Sequence, residues 1–328
     1  MKGDATDSSD RTADRVLDGR RIWVAGHRGM VGSAIVRRLE SEQVEILTVD
    51  RCAVDLTDSV AVSGWVGAAR PDMVVLAAAR VGGIHANRSY PVEFLHDNLM
   101  IEANVLRAAW QAGIDKLLFL GSSCIYPRLA SQPITEDALL SGPLETTNQW
   151  YAVAKIAGLK LCQAYRQQYG CNFIAAMPTN LYGPNDNFHP TQSHVLPALI
   201  RRFHEAKEEG RTVVEIWGSG LPRRELLHVD DLADACVFLL RHYSSGEPIN
   251  VGTGHDVSIA ELAWRVAAVV GWNGQLTFDP SMPDGTSRKV LNVSRLRDLG
   301  WQATIDLDEG LCRTYAWFLE HRDSLRSV

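Results

Sequence analysis

The stretch Arg-Ile-Trp-Val-Ala-Gly-His-Arg-Gly-Met-Val-Gly at residues 21–32 joins a short apolar run to glycines spaced three residues apart. The run at 21–25 has the length of a buried strand, and the residues after it follow a helical pattern through Leu39. Glycine permits a tight turn and lets the backbone approach a ligand closely. The stretch therefore predicts a strand, a loop and a helix whose first turn faces a phosphate group.

A loop of this kind is typical of a dinucleotide site, because the N–H groups that open the helix point at the phosphates. An ordinary glycine-rich turn is the alternative, but the strand before the loop and the helix after it favour the dinucleotide. We predict cofactor contacts from the whole loop: Gly26, His27, Arg28, Gly29, Met30, Val31 and Gly32.

The end of the second strand bears on which dinucleotide binds, and its two residues point in opposite directions. Asp50 would accept the ribose 2′-hydroxyl of NAD and repel the 2′-phosphate of NADP. Arg51, together with Arg28, could instead clamp that phosphate. Asp55 and Leu56 lie where they would cover the adenine, although a helix N-cap at Asp58 explains part of that pattern.

Strand patterns alternate with helical patterns along the first half of the chain, which predicts parallel strands with helices on both faces of the sheet. The predicted strands lie at 44–49, 73–78, 116–120 and 173–177. The predicted helices lie at 30–39, 91–112 and 151–169.

After Pro178 the alternation loosens, and residues 181–190 are rich in turn formers that predict a loop at the mouth of a cleft. Further predicted elements are a helix at 195–208, a strand at 212–217, a strand-to-helix unit from Leu226, a strand at 248–251 that rejoins the first sheet, and a helix at 259–270.

The fold class that follows is α/β, a doubly wound parallel sheet (Rossmann) with a smaller C-terminal α+β substrate lobe. We predict a disordered tail, a dinucleotide-binding domain and a substrate-binding domain. Their bounds are 1–18 for the tail, 19–180 plus about 226–256 for the dinucleotide-binding domain, and about 181–225 plus 257–328 for the substrate-binding domain.

Composition excludes several classes of protein. With 328 residues, 46% hydrophobic and 22% charged, the chain is long enough for a large core and is not broadly disordered. A net charge of −6 without any basic tract argues against nucleic acid and anionic membranes as partners. The six cysteines lack paired or metal-type spacing and indicate reduced thiols in a cytoplasmic protein, with no bound metal.

Three polar residues form a candidate catalytic set. Tyr151 and Lys155 are four residues apart on one helix face, so the Lys155 ammonium would favour the phenolate and lower the pKa of Tyr151. Ser122 follows the strand at 116–120 and would hydrogen-bond the same carbonyl or alcohol oxygen that Tyr151 protonates. The pair alone is common by chance, so its value depends on the glycine loop and strands around it.

Longer motifs carry a resemblance to a known family. They lie at 26–33 (GHRGMVGS), 121–127 (GSSCIYP), 177–184 (MPTNLYGP), 186–190 (DNFHP), 217–220 (WGSG), 224–231 (RELLHVDD) and 283–286 (PDGT). Together they resemble the extended short-chain dehydrogenase/reductase superfamily and, within it, the GDP-L-fucose synthase family. The resemblance runs from about Arg21 to His321.

The resemblance implies a bifunctional, NADPH-dependent enzyme. Such an enzyme epimerises C3 and C5 of GDP-4-keto-6-deoxy-D-mannose and then reduces the C4 ketone to give GDP-L-fucose. Ser122, Tyr151 and Lys155 would serve the ketone in both steps, and Lys155 would also bind the nicotinamide ribose. Epimerisation needs a base and an acid on opposite faces of the sugar, which the resemblance assigns to Cys124 and His194.

The remaining site residues are also implied by the resemblance. Further cofactor contacts would come from Ala77, Ala78, Pro178, Asn180, Leu181 and His194, besides Tyr151 and Lys155. Substrate contacts would come from Ser122, Asn180, Arg202, Trp217, Arg224, Asp284 and Lys289. A homodimer formed by helices of the cofactor domain is expected, and Asp50 keeps NAD open as an alternative cofactor.

Two other functions stay open at this stage. A related sugar-nucleotide epimerase or reductase that acts on a different sugar would keep the same catalytic set. A non-enzymatic dinucleotide-binding protein is disfavoured, because a protein that only binds the dinucleotide would not need all five candidate catalytic residues together. These are Ser122, Tyr151, Lys155, Cys124 and His194.

Overall fold

The computed structural model describes residues 15–190, 193–282 and 284–325. The predicted tail at 1–14 lies outside them. Its extension to residue 18 is wrong, because Arg15–Leu17 forms a 3-10 turn and the Leu17 side chain is fully buried. Leu17 packs with Ile22 and Ile35 in the core, a contact that the polar composition of this region did not predict.

The strands within the described residues are numbered in chain order. They are β1 Arg21–Ala25, β2 Glu45–Leu47, β3 Met73–Leu76, β4 Lys116–Leu120, β5 Asn172–Pro178, β6 Asn180–Tyr182, β7 Val213–Trp217, β8 Arg223–His228, β9 Ile249–Val251, β10 Asp256–Ser258, β11 Gln275–Asp279 and β12 Arg288–Lys289.

The α-helices are numbered in the same way. They are α1 Met30–Leu39, α2 Ser59–Ala69, α3 Ile84–Ser89, α4 Pro91–Gln111, α5 Gln149–Tyr169, α6 Val195–Glu208, α7 Val229–His242, α8 Ile259–Val270, α9 Ser294–Asp298 and α10 Leu307–His321. In the described ranges, no helix combines the length and apolar character needed to cross a membrane.

Six parallel strands form the main sheet, in the order β2-β1-β3-β4-β5-β9. Strand β2 lies on one side of β1, whereas β3 and the strands after it lie on the other side. The strand order therefore reverses between β1 and β3, which is where doubly wound sheets bind their ligands. The predicted doubly wound parallel sheet is confirmed, and β9 rejoins it as expected.

Helices cover both faces of this sheet because its strands are apolar on both sides. On one face, Ile35 of α1 and Leu239 of α7 belong to the same buried cluster as Ile22 of β1. On the other face, Val66 of α2 and Leu159 of α5 join the cluster that contains Trp23. The helices hold the strand ends at one edge of the sheet, where the candidate site lies.

A separate apolar cluster is built by the later elements. It contains Phe203 of α6, Val266 of α8 and Leu311 of α10, packed with residues of the parallel pair β7 and β11. Strand β8 pairs with β6, β10 and β12, and so lies between the elements of both regions.

Buried Glu225 fastens β8 to its surroundings. Its carboxylate accepts hydrogen bonds from the backbone N–H groups of Gly254, at 2.7 Å, and Leu291, at 2.7 Å. Asn180 of β6 donates to the Glu225 carbonyl at 2.8 Å. These bonds fix the neighbouring Arg224 in relation to the end of the main sheet.

Candidate active site

The predicted catalytic residues come together at the carboxyl end of β4. Ser122 begins the 3-10 turn Ser123–Ile125, and its hydroxyl accepts a hydrogen bond from the Cys124 N–H at 3.3 Å. Tyr151 lies in the first turn of α5, and the Lys155 ammonium lies 5.7 Å from the centre of its ring. The local motif thus becomes a compact set of a hydroxyl, a thiol, a phenol and an ammonium group.

The expectation that Lys155 lowers the pKa of Tyr151 is wrong for this structure. Burial raises the pKa of Tyr151 well above the ordinary value, and Cys124 and Glu102 raise it further. Burial is the main cause, and the Lys155 ammonium, which pairs with the Glu102 carboxylate at 3.1 Å, does not offset it. Tyr151 is therefore held as a phenol and is suited to donate a proton.

Glu102 is a site residue that the sequence did not reveal as such. It lies on the buried face of α4, next to Asn98 one turn earlier, and only 1% of its surface is exposed. A glutamate on the apolar stripe of a helix is an unusual pattern, and that position is the signal that could have identified it.

Lys155 is fixed by three groups. Besides Glu102, its ammonium donates to the Leu120 carbonyl at 3.0 Å and lies 4.8 Å from the centre of the Phe119 ring. Only 2% of the Lys155 surface is exposed. The lysine can therefore neither rotate away nor exchange its partners for water without breaking buried contacts.

Cys124 and His194 differ in their surroundings. Cys124 is buried, which raises the pKa of its thiol, although Lys289, Ser122 and Lys155 act in the opposite direction. His194 precedes α6 and keeps an exposed surface, but the protein around its imidazole partly desolvates the ring. This desolvation, followed by the Lys289 ammonium, lowers the pKa of the imidazole. At neutral pH the resting protein thus carries a thiol and a neutral imidazole, and one cation, Lys289, influences both.

The glycine loop has the geometry that a dinucleotide requires. Gly26 has φ +90°, and a Cβ there would lie 2.7 Å from the Ala78 N atom. A Cβ on Gly32 would lie 2.1 Å from the Gly26 carbonyl oxygen. Among the described residues, no side chain caps the helix α1 that begins after Gly29. The loop therefore fits the pyrophosphate of a dinucleotide, whose negative charge would meet the free N–H groups of the first turn.

Asp50 is engaged by the glycine loop. Arg28 donates to one Asp50 oxygen at 2.6 Å, and His27 lies 3.3 Å from the other. A 2′-phosphate would therefore have to compete with Asp50 for the Arg28 guanidinium. Exposed Arg51 is the second cation at this strand end.

The segment predicted to cover the adenine is a hydrogen-bonded turn. Asp55 accepts bonds from the N–H and hydroxyl groups of Thr57 at 2.9 and 2.8 Å, which lowers its pKa. The Leu56 carbonyl accepts from Asn104 at 3.0 Å. Asp58 caps α2, as the alternative interpretation of this pattern expected.

The other predicted cofactor residues lie at neighbouring strand ends. Ala77 follows β3 and donates to the Ala25 carbonyl at 3.0 Å. Pro178 ends β5, and Asn180 and Leu181 form β6 immediately after it. Because β3 and β5 are parallel strands of the main sheet, Ala77 and Pro178 lie at the same edge as the glycine loop, and Asn180 and Leu181 follow in β6, which pairs with β8.

Asn185 connects the loop at 181–190, named here the substrate loop, to the glycine loop, and the sequence predicted only a turn at this position. Its side-chain amide donates to the Arg28 carbonyl at 2.9 Å and to the Ser33 hydroxyl at 3.3 Å. It has φ +68°, a left-handed conformation that asparagine tolerates better than most residues. The substrate loop is thereby tied to the glycine loop.

Five of the predicted substrate residues lie in three places. Arg202 lies 5.6 Å from the centre of the Trp217 ring, and both line a cavity of about 370 Å³. Arg224 and Lys289 are paired neighbours on β8 and β12. Asp284 accepts bonds from the N–H and hydroxyl groups of Ser219, both at 2.7 Å.

These groups are placed differently with respect to the catalytic set. The lining of the cavity includes Arg202 and Trp217 but not Tyr151 or Cys124. Lys289, by contrast, acts electrostatically on both Cys124 and His194. Lys289 thus acts on two of the predicted catalytic groups, whereas the lining of the cavity beside Arg202 and Trp217 contains none of them.

The parallel sheet, the glycine loop and the arrangement of Ser122, Tyr151 and Lys155 define an extended short-chain dehydrogenase/reductase. The model of the NAD dependent epimerase/dehydratase family matches residues 22–252. The chain belongs to that family and, within it, to the GDP-L-fucose synthases, as its relatives show.

One such relative is a GDP-L-fucose synthase of Sinorhizobium fredii, 56% identical over 93% of this chain and 98% of the relative. GDP-L-fucose synthase 1 of Arabidopsis thaliana is 57% identical over 92% of this chain and 94% of the relative.

Solved structures agree with the sequence relatives. A GDP-L-fucose synthetase from Naegleria fowleri bound to NADP has a TM-score of 0.87 and 29% identity, and the match covers 95% of this chain and 97% of that one. A GDP-mannoheptose C4 reductase from Campylobacter jejuni with NADP bound has a TM-score of 0.84 and 35% identity, over 92% and 98% of the two chains.

Proposed function

We propose that the protein converts GDP-4-keto-6-deoxy-D-mannose to GDP-L-fucose, by epimerising C3 and C5 and then reducing the C4 ketone with NADPH. The observation that carries the proposal is the location of Cys124 beside Ser122 and Tyr151. A simple reductase needs a proton donor at the ketone oxygen, whereas epimerisation also needs groups that exchange protons at carbon. The protein offers both kinds of group at one strand end.

Tyr151 and Ser122 act on the ketone oxygen. Hydrogen bonds from these two hydroxyls would withdraw electrons from the C4 carbonyl and so make the hydrogens at C3 and C5 more acidic. When bound, NADPH supplies the hydride for C4. Tyr151, which the protein holds in its phenol form, then gives its proton to the oxygen of the reduced carbon. One phenol thus serves both parts of the reaction.

Cys124 and His194 exchange protons at carbon. Inversion of a centre requires removal of a proton from one ring face and its return to the other, so two groups are needed. The neutral imidazole of His194 can accept a proton, and the protonated thiol of Cys124 can give one. Lys289 influences both groups and so links their protonation to one positive charge.

The nucleotide end of the substrate is assigned to the cations. Arg202 and Arg224 would bind phosphate oxygens, because guanidinium groups form paired hydrogen bonds with them. Exposed Trp217 offers an aromatic face beside Arg202. Asp284 holds the loop that contains Ser219, immediately after Trp217.

The test is incubation with GDP-4-keto-6-deoxy-D-mannose and NADPH, followed by NMR identification of the sugar. GDP-L-fucose with stoichiometric NADPH oxidation is the expected result. A product reduced at C4 without inversion would favour the related reductases, of which the GDP-mannoheptose C4 reductase is one by its name. Exchange of solvent deuterium into C3 and C5 without NADPH oxidation would leave only an epimerase.

We propose that the protein prefers NADPH to NADH, because Arg28 and Arg51 could bind the 2′-phosphate. The negative charge of Asp50 opposes this preference. Replacing Asp50 by alanine should raise the preference for NADPH by about tenfold, because it frees Arg28 and removes a negative charge beside the 2′-phosphate. Steady-state kcat/KM with both coenzymes measures the preference. Glu45→Ala is the control, since Glu45 pairs with Arg21 at the start of β2. A strong preference of the unmodified protein for NADH would make the NADPH assignment wrong.

A homodimer is proposed through the outer faces of α4 and α5. Val92 on α4 is 70% exposed and Val153 on α5 is 42% exposed, as expected for apolar residues that a second copy covers. Val153→Asp should convert a dimer into a species of 36.2 kDa in sedimentation experiments. Val60→Asp is the control, because Val60 is 79% exposed on α2. A 36.2 kDa species for the unmodified protein would refute the dimer.

We also keep the two-domain division as a proposal, with β8 between the domains, and a cytoplasmic location. The location is supported by the reduced-thiol pattern of the sequence and by the nucleotide-sugar chemistry of the site.

A further inference from the structure

We propose that Glu102 is a positioning residue for the reaction: it holds the Lys155 ammonium near Tyr151 and balances its charge. The inference rests on the proposed function, because it concerns the proton that Tyr151 donates to the ketone oxygen. Glu102 itself is not placed against substrate or cofactor, and it acts through Lys155.

The first support is the geometry of the pair. The Glu102 carboxylate on α4 lies 3.1 Å from the Lys155 ammonium on α5, with 1% and 2% of the two side chains exposed. A buried ammonium group without a counter-charge tends to lose its proton, because burial disfavours the charged form. Burial raises the pKa of Glu102, but the Lys155 ammonium acts against that rise, so each group favours the charged form of the other. The Leu120 carbonyl accepts a further bond from the ammonium.

The second support is Gly158, which makes room for the carboxylate. A Cβ at this position would lie 2.5 Å from a Glu102 oxygen and 2.5 Å from the Phe119 ring. Gly158 is in the middle of α5, where glycine has no turn to form and no positive φ to adopt. The Glu102 carboxylate occupies the space where a side chain at position 158 would lie. Glycine at this position therefore lets the carboxylate lie against α5.

The third support is the set of charged and titratable groups around the phenol. Cys124 faces Tyr151 from the turn after β4, Glu102 faces it from α4, and Lys155 lies on the same helix α5. Cys162, also on α5, is affected by Glu102 and Lys155 in opposite directions. Lys289 from β12 acts on Cys124. Within this set, Glu102 is the carboxylate that opposes Lys155, and it helps to keep Tyr151 protonated.

The charges of Lys155 and Glu102 therefore have separate roles. Lys155 alone would favour the phenolate, which cannot donate a proton to the reduced carbonyl. With Glu102 beside it, Lys155 keeps its position for the nicotinamide ribose while Tyr151 stays a phenol. A purely structural ion pair between α4 and α5 would have no such effect on the proton of Tyr151.

The test compares the pH dependence of NADPH oxidation by the unmodified protein and by Glu102→Gln, with GDP-4-keto-6-deoxy-D-mannose as substrate. Glutamine keeps the shape but removes the charge. The basic limb of the kcat/KM profile should move to lower pH by about one unit, because Lys155 then either stabilises the phenolate or loses its own proton. Glu136→Gln is the matched control, since Glu136 is also buried but bonds the Asn250 N–H instead.

The proposal would be overturned if Glu102→Gln lowered kcat/KM by the same factor at every pH and left the basic limb of the profile in place. Glu102 would then have only a structural role. Glu102→Asp keeps the charge and should keep the position of the limb even if the rate falls.

A second measurement needs no turnover and compares the unmodified protein with Glu102→Gln. NMR of both proteins labelled with ¹³C at the tyrosine ring, with Tyr151→Phe to assign the signal, should show Tyr151 still protonated above pH about 10 in the unmodified protein and titrating at lower pH in Glu102→Gln. Titration of that signal below about pH 9 in the unmodified protein would also overturn the proposal. Because this titration uses no substrate, it separates a failure of Glu102 from a failure of the proposed function, which absent NADPH oxidation by the unmodified protein would reveal.

Discussion

Tyr151→Phe is expected to slow reduction of the ketone by about 10²- to 10⁴-fold, the usual contribution of a positioned proton donor. The phenyl ring keeps the packing against Lys155, so coenzyme affinity should change little. Single-turnover NADPH oxidation measures the first effect, and fluorescence titration with NADPH measures the second.

Tyr165→Phe is the matched control for this change. Tyr165 lies on the same helix but contacts the rings of Trp110, Tyr169 and Phe173, far along the chain from the catalytic turn. It should leave the rate within about twofold of the unmodified protein, because its hydroxyl lies away from the proposed proton transfer. If Tyr151→Phe behaves in the same way, Tyr151 is not the proton donor.

Cys124→Ser and His194→Gln are each expected to slow deuterium incorporation at C3 and C5 by at least about 10²-fold, because each removes one of two groups that exchange protons with carbon. Coenzyme binding should stay near the level of the unmodified protein for Cys124→Ser. Incubation in deuterated buffer, followed by NMR at both carbons, measures the exchange separately at each centre.

The control for the thiol is Cys171→Ser, since Cys171 is a partly buried cysteine immediately before β5, at the opposite end of that strand from Pro178. Exchange at the normal rate in both Cys124→Ser and His194→Gln would refute the scheme of two groups. Loss of exchange at only one carbon in either variant would assign that residue to that centre.

Much of the fold could be predicted because its signals are local. Helices α1, α6 and α8 and strand β4 were predicted to the residue, since each is a clear periodic or continuous apolar pattern. Only the Asp58 cap of helix α2 was predicted. The apolar residues of this helix are mostly small and are spread around all its faces, so they form no apolar stripe with helical spacing. Leu17 shows the same limit, as one apolar residue in a polar segment carries no pattern.

The site divides in a similar way. Ser122, Cys124, Tyr151 and Lys155 lie in short motifs and were predicted together. Glu102 was missed because its partner, Lys155, is 53 positions further along the chain (155 − 102 = 53). Only the packing of α4 on α5 brings the two residues together. Burial of Tyr151, which no local pattern reveals, reversed the expected direction of its pKa.

Gly158 has a consequence for engineering. Replacing a glycine in the middle of a helix by alanine is a standard way to raise thermal stability, and it gains about 1 kcal/mol where there is space. At position 158 the added methyl would push the Glu102 carboxylate away from Lys155. Designs for thermal stability should therefore leave Gly158 unchanged, because the added methyl would also lie 2.5 Å from the Phe119 ring and has no space to occupy.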